Sequence, residues 1–474
     1  MSELRVRGEP LAGRSVLVMG LGLYGGGLAA ARAALRCGAR VTVTDLRDAE
    51  ALAESVAALA EDAPRMVLGE HRAEDFEAAD VVIVNPAVRP DHPLLARARE
   101  RGAQVTSELE LLLEACPARV VMITGTQGKS STCSALATLL AESGHAVRLG
   151  GNIGRSLLPE LPAMRADELC VIETSSYQLE ALPETALVRR WLTRRVAAVA
   201  VTNVLADHLD RHGSLAAYAA AKRRLLELAG PGVPVVLSAD DERTAAWARE
   251  TDGAVSFSIG ATADFVLDDE GHFRAGAEVL GDARDLRLAG EFQRANVLCA
   301  LAVARSLGAS AERLAAALPE LRGLDHRMQD LGSVAGHRVW DNGISTTPDS
   351  TLAALRAVTG PLVWLCGGRT KDLPLEEVAR EAVARCARAV TFGEAADVLA
   401  ERLAARGLAV RAETTLAAGV RAAFAELRPG EELLFSPACS SFDEFRNVID
   451  RARAFRRELD RAAAARHAPQ ARMR

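Results

Sequence analysis

Arg119-Val120-Val121-Met122-Ile123 runs through Thr124 into Gly125-Thr126-Gln127-Gly128-Lys129-Ser130-Ser131, and this stretch decides the fold. Its first five residues are apolar after the arginine and read as a buried strand. From Ser130 to Ser143, Leu and Ala recur at helical spacing. A glycine-rich turn between a strand and a helix aims backbone N–H groups and the helix N-terminus at an anion. Lys129 adds a point charge for phosphate oxygens, and the Ser130 hydroxyl is of the type that ligates Mg²⁺ beside a triphosphate. The standard loop has one more glycine five residues before the Gly-Lys pair. Here that position is Ile123, so the loop is shorter. The stretch predicts ATP held at the end of a strand in an α/β sheet.

The same strand, turn and helix order recurs on either side. Upstream, Ser15-Val16-Leu17-Val18-Met19 reads as a strand, followed by the glycines of Gly20 to Gly27 and an Ala-rich helix to about Cys37. Two more strands, Arg40 to Thr44 and Val81 to Val84, end in Asp45 and in Asn85-Pro86. This is a doubly wound nucleotide-binding pattern. Its GxGxxG with a later acidic residue fits a dinucleotide, or glycines that serve only helix–strand packing. In the middle of the chain, Leu169 to Ile172, Val196 to Val201 and Val233 to Leu237 alternate with helical segments, which predicts a parallel sheet covered on both faces. Near Arg322 a third α/β unit begins, with strands at 362–365, 389–392, 409–411 and 432–435.

Length and composition agree. A chain of 474 residues exceeds one core and suggests about three domains. Aromatics are 4% of the residues, so Ala, Leu and Val must fill the interiors. With 57 basic against 63 acidic residues the net charge is -6, which argues against a nucleic-acid binder. The eight cysteines form no CxxC pair, and no apolar stretch is long enough to span a membrane. A soluble cytoplasmic protein is expected.

Polar residues gather at strand ends, where α/β domains bind ligands. Glu173 closes one strand and heads Glu173-Thr174-Ser175-Ser176-Tyr177-Gln178; a carboxylate beside the phosphate loop suits Mg²⁺. Thr202-Asn203 closes the next and leads to Asp207-His208-Leu209-Asp210-Arg211-His212-Gly213, with Lys222 following. His208 is a candidate metal ligand or polarising group, or a structural histidine. His212 reads as surface or capping. Further polar loops are Gly150-Gly151-Asn152-Ile153-Gly154, Asp325-His326-Arg327, Asp341 to Thr347, Gly367 to Asp372 and Ser436 to Asp443.

As an ordered set these segments resemble the Mur ligase family over nearly the whole chain. The Glu173 to Glu180 string and Ser436 to Asp443 are most similar to the branch that adds glutamate to UDP-N-acetylmuramoyl-L-alanine. The resemblance implies an α/β chain of three domains. Residues 1–106 would be a Rossmann-like domain for the UDP part, 107–321 a central P-loop ATPase-like parallel sheet, and 322–474 a Rossmann-like domain for the amino acid and ATP. It implies an acyl-phosphate ligase with ATP and Mg²⁺, acting as a monomer on UDP-N-acetylmuramoyl-L-alanine and glutamate, with no nucleic-acid partner and no membrane insertion. Gly125 to Ser131, Gln293, Asn296 and Arg327 would hold ATP. Ser130, Glu173, His208 and a carbamylated Lys222 would serve metal. Leu23, Tyr24, Asp45, Arg47, Asn152, Ser175 and Gln178 would meet the UDP-muramoyl substrate, and Lys371, Ser441 and Phe442 the amino acid. The chain departs from the family pattern at one segment, Asn85-Pro86-Ala87, and at three single positions, Ile344, Arg369 and Val448. Ile344 replaces a lysine that would bind a carboxylate. L-glutamate as acceptor is therefore an alternative, as are a folylpolyglutamate-type ligase and a nucleotide-switched binding protein.

Overall fold

A computed structural model describes residues 4–22, 25–182, 195–370 and 375–467. Leu23, Tyr24 and Lys371, all expected at the site, lie outside these residues. The chain divides into two compact units, Met1–Asp285 with Ala295–Glu320, and Leu286–Arg294 with Leu321–Arg474.

The first unit holds two large sheets. One is all-parallel, in the order Arg65–Leu68, Arg40–Asp45, Ser15–Met19, Val81–Val84, Gln104–Ser107. Chain order reverses at Ser15–Met19, which leaves a crevice beyond its carboxyl end. Gly20 turns there at φ 88°, and a Cβ on it would stand 2.7 Å from the Asn85 Cβ. The crossover helix Gly26–Arg36 buries Ala29, Ala30, Ala31, Ala33 and Ala34. Small side chains let it lie close to the strands, in keeping with the scarcity of aromatics.

The other sheet has nine strands. In order they are Glu278–Asp282, His272–Ala275, Phe265–Leu267, Val255–Ser258, Val235–Ser238, Val196–Val201, Arg119–Thr124, Leu169–Glu173 and Val147–Gly151. Every residue of Val196–Val201 is buried, as a central parallel strand requires. The strands read as parallel in the sequence pair so, and the sheet is extended at one edge, where Phe265–Leu267 and His272–Ala275 pair antiparallel, as do His272–Ala275 and Glu278–Asp282. These strands are short and joined by tight turns through Gly271 and Gly276 at φ 89° and 58°, a connection that only antiparallel pairs can use. The two sheets share one apolar cluster in which Val16, Ala30 and Val43 join Leu111, Val120, Leu158 and Tyr218.

In the second unit the order is Gln329–Val334, His337–Asp341, Glu432–Ala438, Leu362–Gly367, Cys386–Phe392, Val410–Glu413. Among the described strands only Gln329–Val334 runs antiparallel, through a turn with Ala335 at φ 47° and Gly336 at φ 89°. Positive φ at both positions suits the right-handed twist of a hairpin. Among the described residues no helix is long and apolar enough to cross a membrane.

The helix behind Gly20 yields a paired test of this packing. A Cβ on Gly27 would meet the Gly20 carbonyl oxygen at 2.3 Å and that of Leu21 at 2.5 Å, whereas one on Gly26 meets none of the described residues within 4 Å. In urea denaturation Gly27→Ala is expected to lose about 1–3 kcal/mol. Gly26→Ala should be neutral or gain a fraction of about 1 kcal/mol.

Candidate active site

The loop after Arg119–Thr124 is fixed by the neighbouring strand end. Gly125 sits at φ 155°, and a Cβ there would lie 1.9 Å from the Thr202 Oγ1. Thr202 Oγ1 donates to the Gln127 carbonyl at 2.6 Å, the Gln127 N–H donates to Asn203 Oδ1 at 2.9 Å, and the Thr126 N–H to the Asn203 carbonyl at 3.0 Å. Thr202 and Asn203 thus shape the loop themselves. Gly128 begins the helix Lys129–Glu142 at φ 82°, and a Cβ on it would meet Asn296 Oδ1 at 2.1 Å. The first N–H groups of that helix have no acceptor within it and form an anion cradle.

Two amines converge on this loop. Lys129 Nζ donates to the carbonyls of Gly125 and Thr126, both at 2.9 Å. Lys222 Nζ donates to the same Gly125 carbonyl at 2.6 Å and lies 4.6 Å from the Tyr218 ring centroid. Lys222 is 1% exposed. Burial first, and then the Lys129 charge, lower its pKa to about 6, so its amine is largely neutral at pH 7. Lys222 stands one turn beyond Tyr218 on the helix Leu215–Glu227, so both side chains share a face. Tyr218 in turn donates from its hydroxyl to Thr126 Oγ1 at 3.1 Å.

Glu173 closes its strand beside the loop and is 2% exposed. Its Oε1 accepts from Asn152 Nδ2 at 2.8 Å, while Oε2 is buried with no hydrogen-bond partner among the described residues. An unpartnered buried carboxylate oxygen is costly unless a cation meets it. Ser130, 3% exposed, is on the first turn of the adjoining helix. These groups fit a divalent ion. Among the described residues no three His, Cys, Asp or Glu side chains form a metal cluster. An ion here would therefore share ligands with phosphate oxygens, as P-loop sites do.

His208 has φ 51° and precedes the one-turn helix Leu209–His212. Its Nδ1 pairs with the Tyr177 hydroxyl at 3.1 Å and its Nε2 lies 3.5 Å from Asp207 Oδ2. Burial lowers its pKa, which keeps the ring neutral and able to act as a ligand. The expectation that His212 is surface or capping is corrected. Its side chain is 1% exposed, with Nε2 3.1 Å from Ser176 Oγ and Nδ1 3.6 Å from Glu180. The single helical turn faces it onto the helix Ser176–Ala181.

Ser175 and Gln178 form a reciprocal capping box on that helix. Gln178 N–H donates to Ser175 Oγ at 3.2 Å, and Ser175 N–H to Gln178 Oε1 at 2.9 Å. They therefore have a structural task as well as a place in the site. Asp45 Oδ2 accepts from the Gly22 N–H at 3.2 Å and Oδ1 from the Arg47 N–H at 2.9 Å, which ties the first sheet's glycine turn to its second strand. One cavity of about 730 Å³ is lined by Asp45 and Arg47 from the first sheet and by Lys129, Asn152, Ser175, Gln178, His208 and Lys222 from the second. Tyr177 and Tyr218 line it too and were missed in the sequence. The four-residue spacing of Tyr218 and Lys222 was the signal for one of them.

The remaining residues divide between the units. Asn296 belongs to the first unit, and Gln293 and Arg327 to the second. In the second unit Ser441 is fully buried, and its hydroxyl has no hydrogen-bond partner among the described residues. Phe442 is 61% exposed. Arg451, also missed in the sequence, is fully buried and donates to the carbonyls of Cys439, Gly343 and Ser345, which pins the two polar loops together. Ile344 is half-buried in one of these loops and Val448 opens the helix Val448–His467.

Comparison with known proteins decides the family. The pattern described as Mur ligase middle domain matches residues 123–304, and that described as Mur ligase MurD-like, N-terminal domain matches 14–107. The UDP-N-acetylmuramoylalanine--D-glutamate ligase of Roseiflexus sp. (strain RS-1) is 36% identical over 468 residues, 95% of this chain and 99% of that protein. The chain belongs to the Mur ligase family. Two solved Mur ligases share its fold. The UDP-N-acetylmuramate-alanine ligase MurC of Thermotoga maritima has a TM-score of 0.63 at 19% identity, covering 95% of this chain and all of that one. The MurF ligase of the same organism, in complex with ADP, has a TM-score of 0.62 at 16% identity, covering 96% and 99%.

The buried amine gives a pH test. Lys222 has a folded-state pKa of about 6 against an ordinary 10.5, so between these values the unfolded chain binds a proton that the folded chain does not. Stability from this group therefore rises with pH across that window, by up to about 1.4 kcal/mol per pH unit. Lys222→Met should flatten the rise by that amount in urea denaturation from pH 6.5 to 9 in buffer free of carbon dioxide.

Proposed function

We propose that this Mur ligase joins D-glutamate to UDP-N-acetylmuramoyl-L-alanine at the expense of ATP, in the cytoplasmic synthesis of peptidoglycan precursor. The observation that carries the reading is the pair Lys129 and Lys222 on one loop carbonyl, beside the open oxygen of Glu173 and in one cavity with Asp45 and Arg47. Such a cavity is fit to bring a triphosphate and a nucleotide-linked carboxylate together.

In the first step an oxygen of the alanyl carboxylate attacks the γ-phosphorus, the bond to the β-phosphate oxygen breaks, and ADP leaves. In the second, the amine of D-glutamate attacks the acyl carbon, loses a proton, and expels phosphate. The loop Gly125 to Ser131 is the phosphate cradle, with N–H donors from Gly128 to Ser131 and with Lys129 neutralising charge that develops on the γ-phosphoryl group. Asn296, Gln293 and Arg327 are the further ATP contacts. Ser130, Glu173 and His208 are the groups to hold Mg²⁺, which when bound screens phosphate from carboxylate and polarises the phosphoryl oxygens. Lys222, neutral near pH 7, adds through its lone pair to carbon dioxide and releases a proton; the carbamate anion so formed balances Lys129. Asp45, Arg47, Asn152, Ser175 and Gln178 are the contacts to the UDP-muramoyl substrate, as are Leu23 and Tyr24. Ser441, Phe442 and Lys371 are those to the acceptor.

The functional division runs through 1–106, 107–321 and 322–474, in a monomer. The names of the relatives favour D-glutamate over the L-form that Ile344 and Val448 suggested. Carboxylate recognition then falls to donors other than a lysine at 344. The Ser441 hydroxyl, without a partner among the described residues, is one such donor.

Phosphate release by the purified protein should require ATP, UDP-N-acetylmuramoyl-L-alanine and D-glutamate together. D- should exceed L-glutamate by at least about a hundredfold in kcat/KM. Equal use of both would overturn the acceptor assignment. Lys222→Ala should lower kcat by about 10²–10³-fold without rescue by bicarbonate, and full activity of this variant would remove Lys222 from the mechanism.

A further inference from the structure

Arg211 is absent from the cavity lining and has no role above, yet it touches what holds the cavity's shape. Its guanidinium donates to the carbonyls of Ala87 at 3.2 Å and Val88 at 3.1 Å. The same group reaches Glu180 Oε2 at 3.0 Å and lies 4.9 Å from the Tyr177 ring centroid. Its backbone carbonyl accepts from Arg89 Nη1 at 3.2 Å, and its side chain is only 7% exposed.

These partners belong to two walls of one cavity. Asn85 to Val88 follow the strand Val81–Val84 of the first sheet and line the cavity. Tyr177 and His208 line it from the second sheet and are joined through the Tyr177 hydroxyl. Arg211 follows His208 by three residues on the same helical turn. One planar guanidinium therefore fastens the first-sheet wall to the group that orients His208. Few side chains can do this. Five donors in a rigid fork serve two carbonyls and a carboxylate at once while the flat face stacks on an aromatic ring. Without it, the two carbonyls and Glu180 lose a charged donor.

We infer that Arg211 is a positioning residue that sets the separation between the Asn85–Val88 wall and the Tyr177–His208 wall, and through it the binding of the nucleotide-sugar substrate. The inference rests on reading this cavity as the site of UDP-N-acetylmuramoyl-L-alanine. Its partners Ala87, Val88, Glu180 and Tyr177 lie outside the loop Gly125 to Ser131, so the phosphate loop is not what it holds.

The test is steady-state phosphate release by the full chain carrying Arg211→Ala, Arg211→Lys or Glu180→Gln. Arg211→Ala should raise KM for the UDP-muramoyl substrate by about tenfold or more, the loss of a charged hydrogen bond. Arg211→Lys should not rescue it, because a point charge cannot hold both carbonyls. Glu180→Gln should give a smaller rise, and KM for ATP should rise several-fold less than KM for the UDP-muramoyl substrate throughout. An unchanged KM for the UDP-muramoyl substrate in Arg211→Ala overturns the inference. So does an equal rise in KM for ATP, which marks general loosening. If Arg211→Ala does not fold, an unchanged KM in both other variants overturns it. If the unaltered protein does not turn over D-glutamate, the proposed function fails instead. Calorimetric binding of the UDP-muramoyl substrate to Arg211→Lys and unaltered protein then tests the clamp without catalysis, and equal affinities overturn it.

Discussion

The carbonyl oxygen of Gly125 accepts from two lysines, and much of the first unit is arranged to make that possible. Lys129 comes from the helix that follows the loop, and Lys222 from a helix almost a hundred residues later, buried against Tyr218. Two ammonium groups on one buried carbonyl repel strongly in a medium of low dielectric. The repulsion and the burial are relieved together when Lys222 gives up its proton, which is the direction in which its pKa moves. The neutral amine is then available for chemistry that an ordinary surface lysine does not perform at neutral pH.

The loop can present that carbonyl only because its backbone is held from the side. Thr202 and Asn203 bind three of its polar groups and approach so closely that Gly125 admits no side chain. Across the loop, the open oxygen of Glu173 supplies negative charge, and Asn152 fixes the other oxygen. The parallel strands explain the gathering. Arg119–Thr124, Leu169–Glu173 and Val196–Val201 are adjacent in the sheet, so their carboxyl ends deliver the loop, Glu173 and Thr202 to one place. The first sheet brings its own reversal point to the same cavity, with Asp45 and Arg47.

Much of this was legible in the sequence because parallel strands advertise themselves as apolar runs. The strands Ser15–Met19, Val81–Val84 and Val196–Val201 stand where the runs placed them. The antiparallel edge at residues 265–282 was not legible, since its strands are short, half-polar and without a continuous apolar run. The hairpin turn at Ala335-Gly336 was hidden for another reason: alanine gives no sign of positive φ. Residues with distinctive chemistry in strand-end loops were readable as candidates, among them Lys129, Glu173 and His208. Residues that act through contacts were not. Nothing in the sequence alone says that Arg451 spans two loops or that the His212 side chain is buried.

The central claim is that the carboxylate of the nucleotide-linked substrate is activated by phosphoryl transfer from ATP before the amine attacks. The most direct measurement follows oxygen. With the alanyl carboxylate of UDP-N-acetylmuramoyl-L-alanine labelled with oxygen-18 and D-glutamate and ATP supplied, the phosphate released during turnover should carry one labelled oxygen derived from that carboxylate. Release of unlabelled phosphate at the same rate as amide formation would contradict the account.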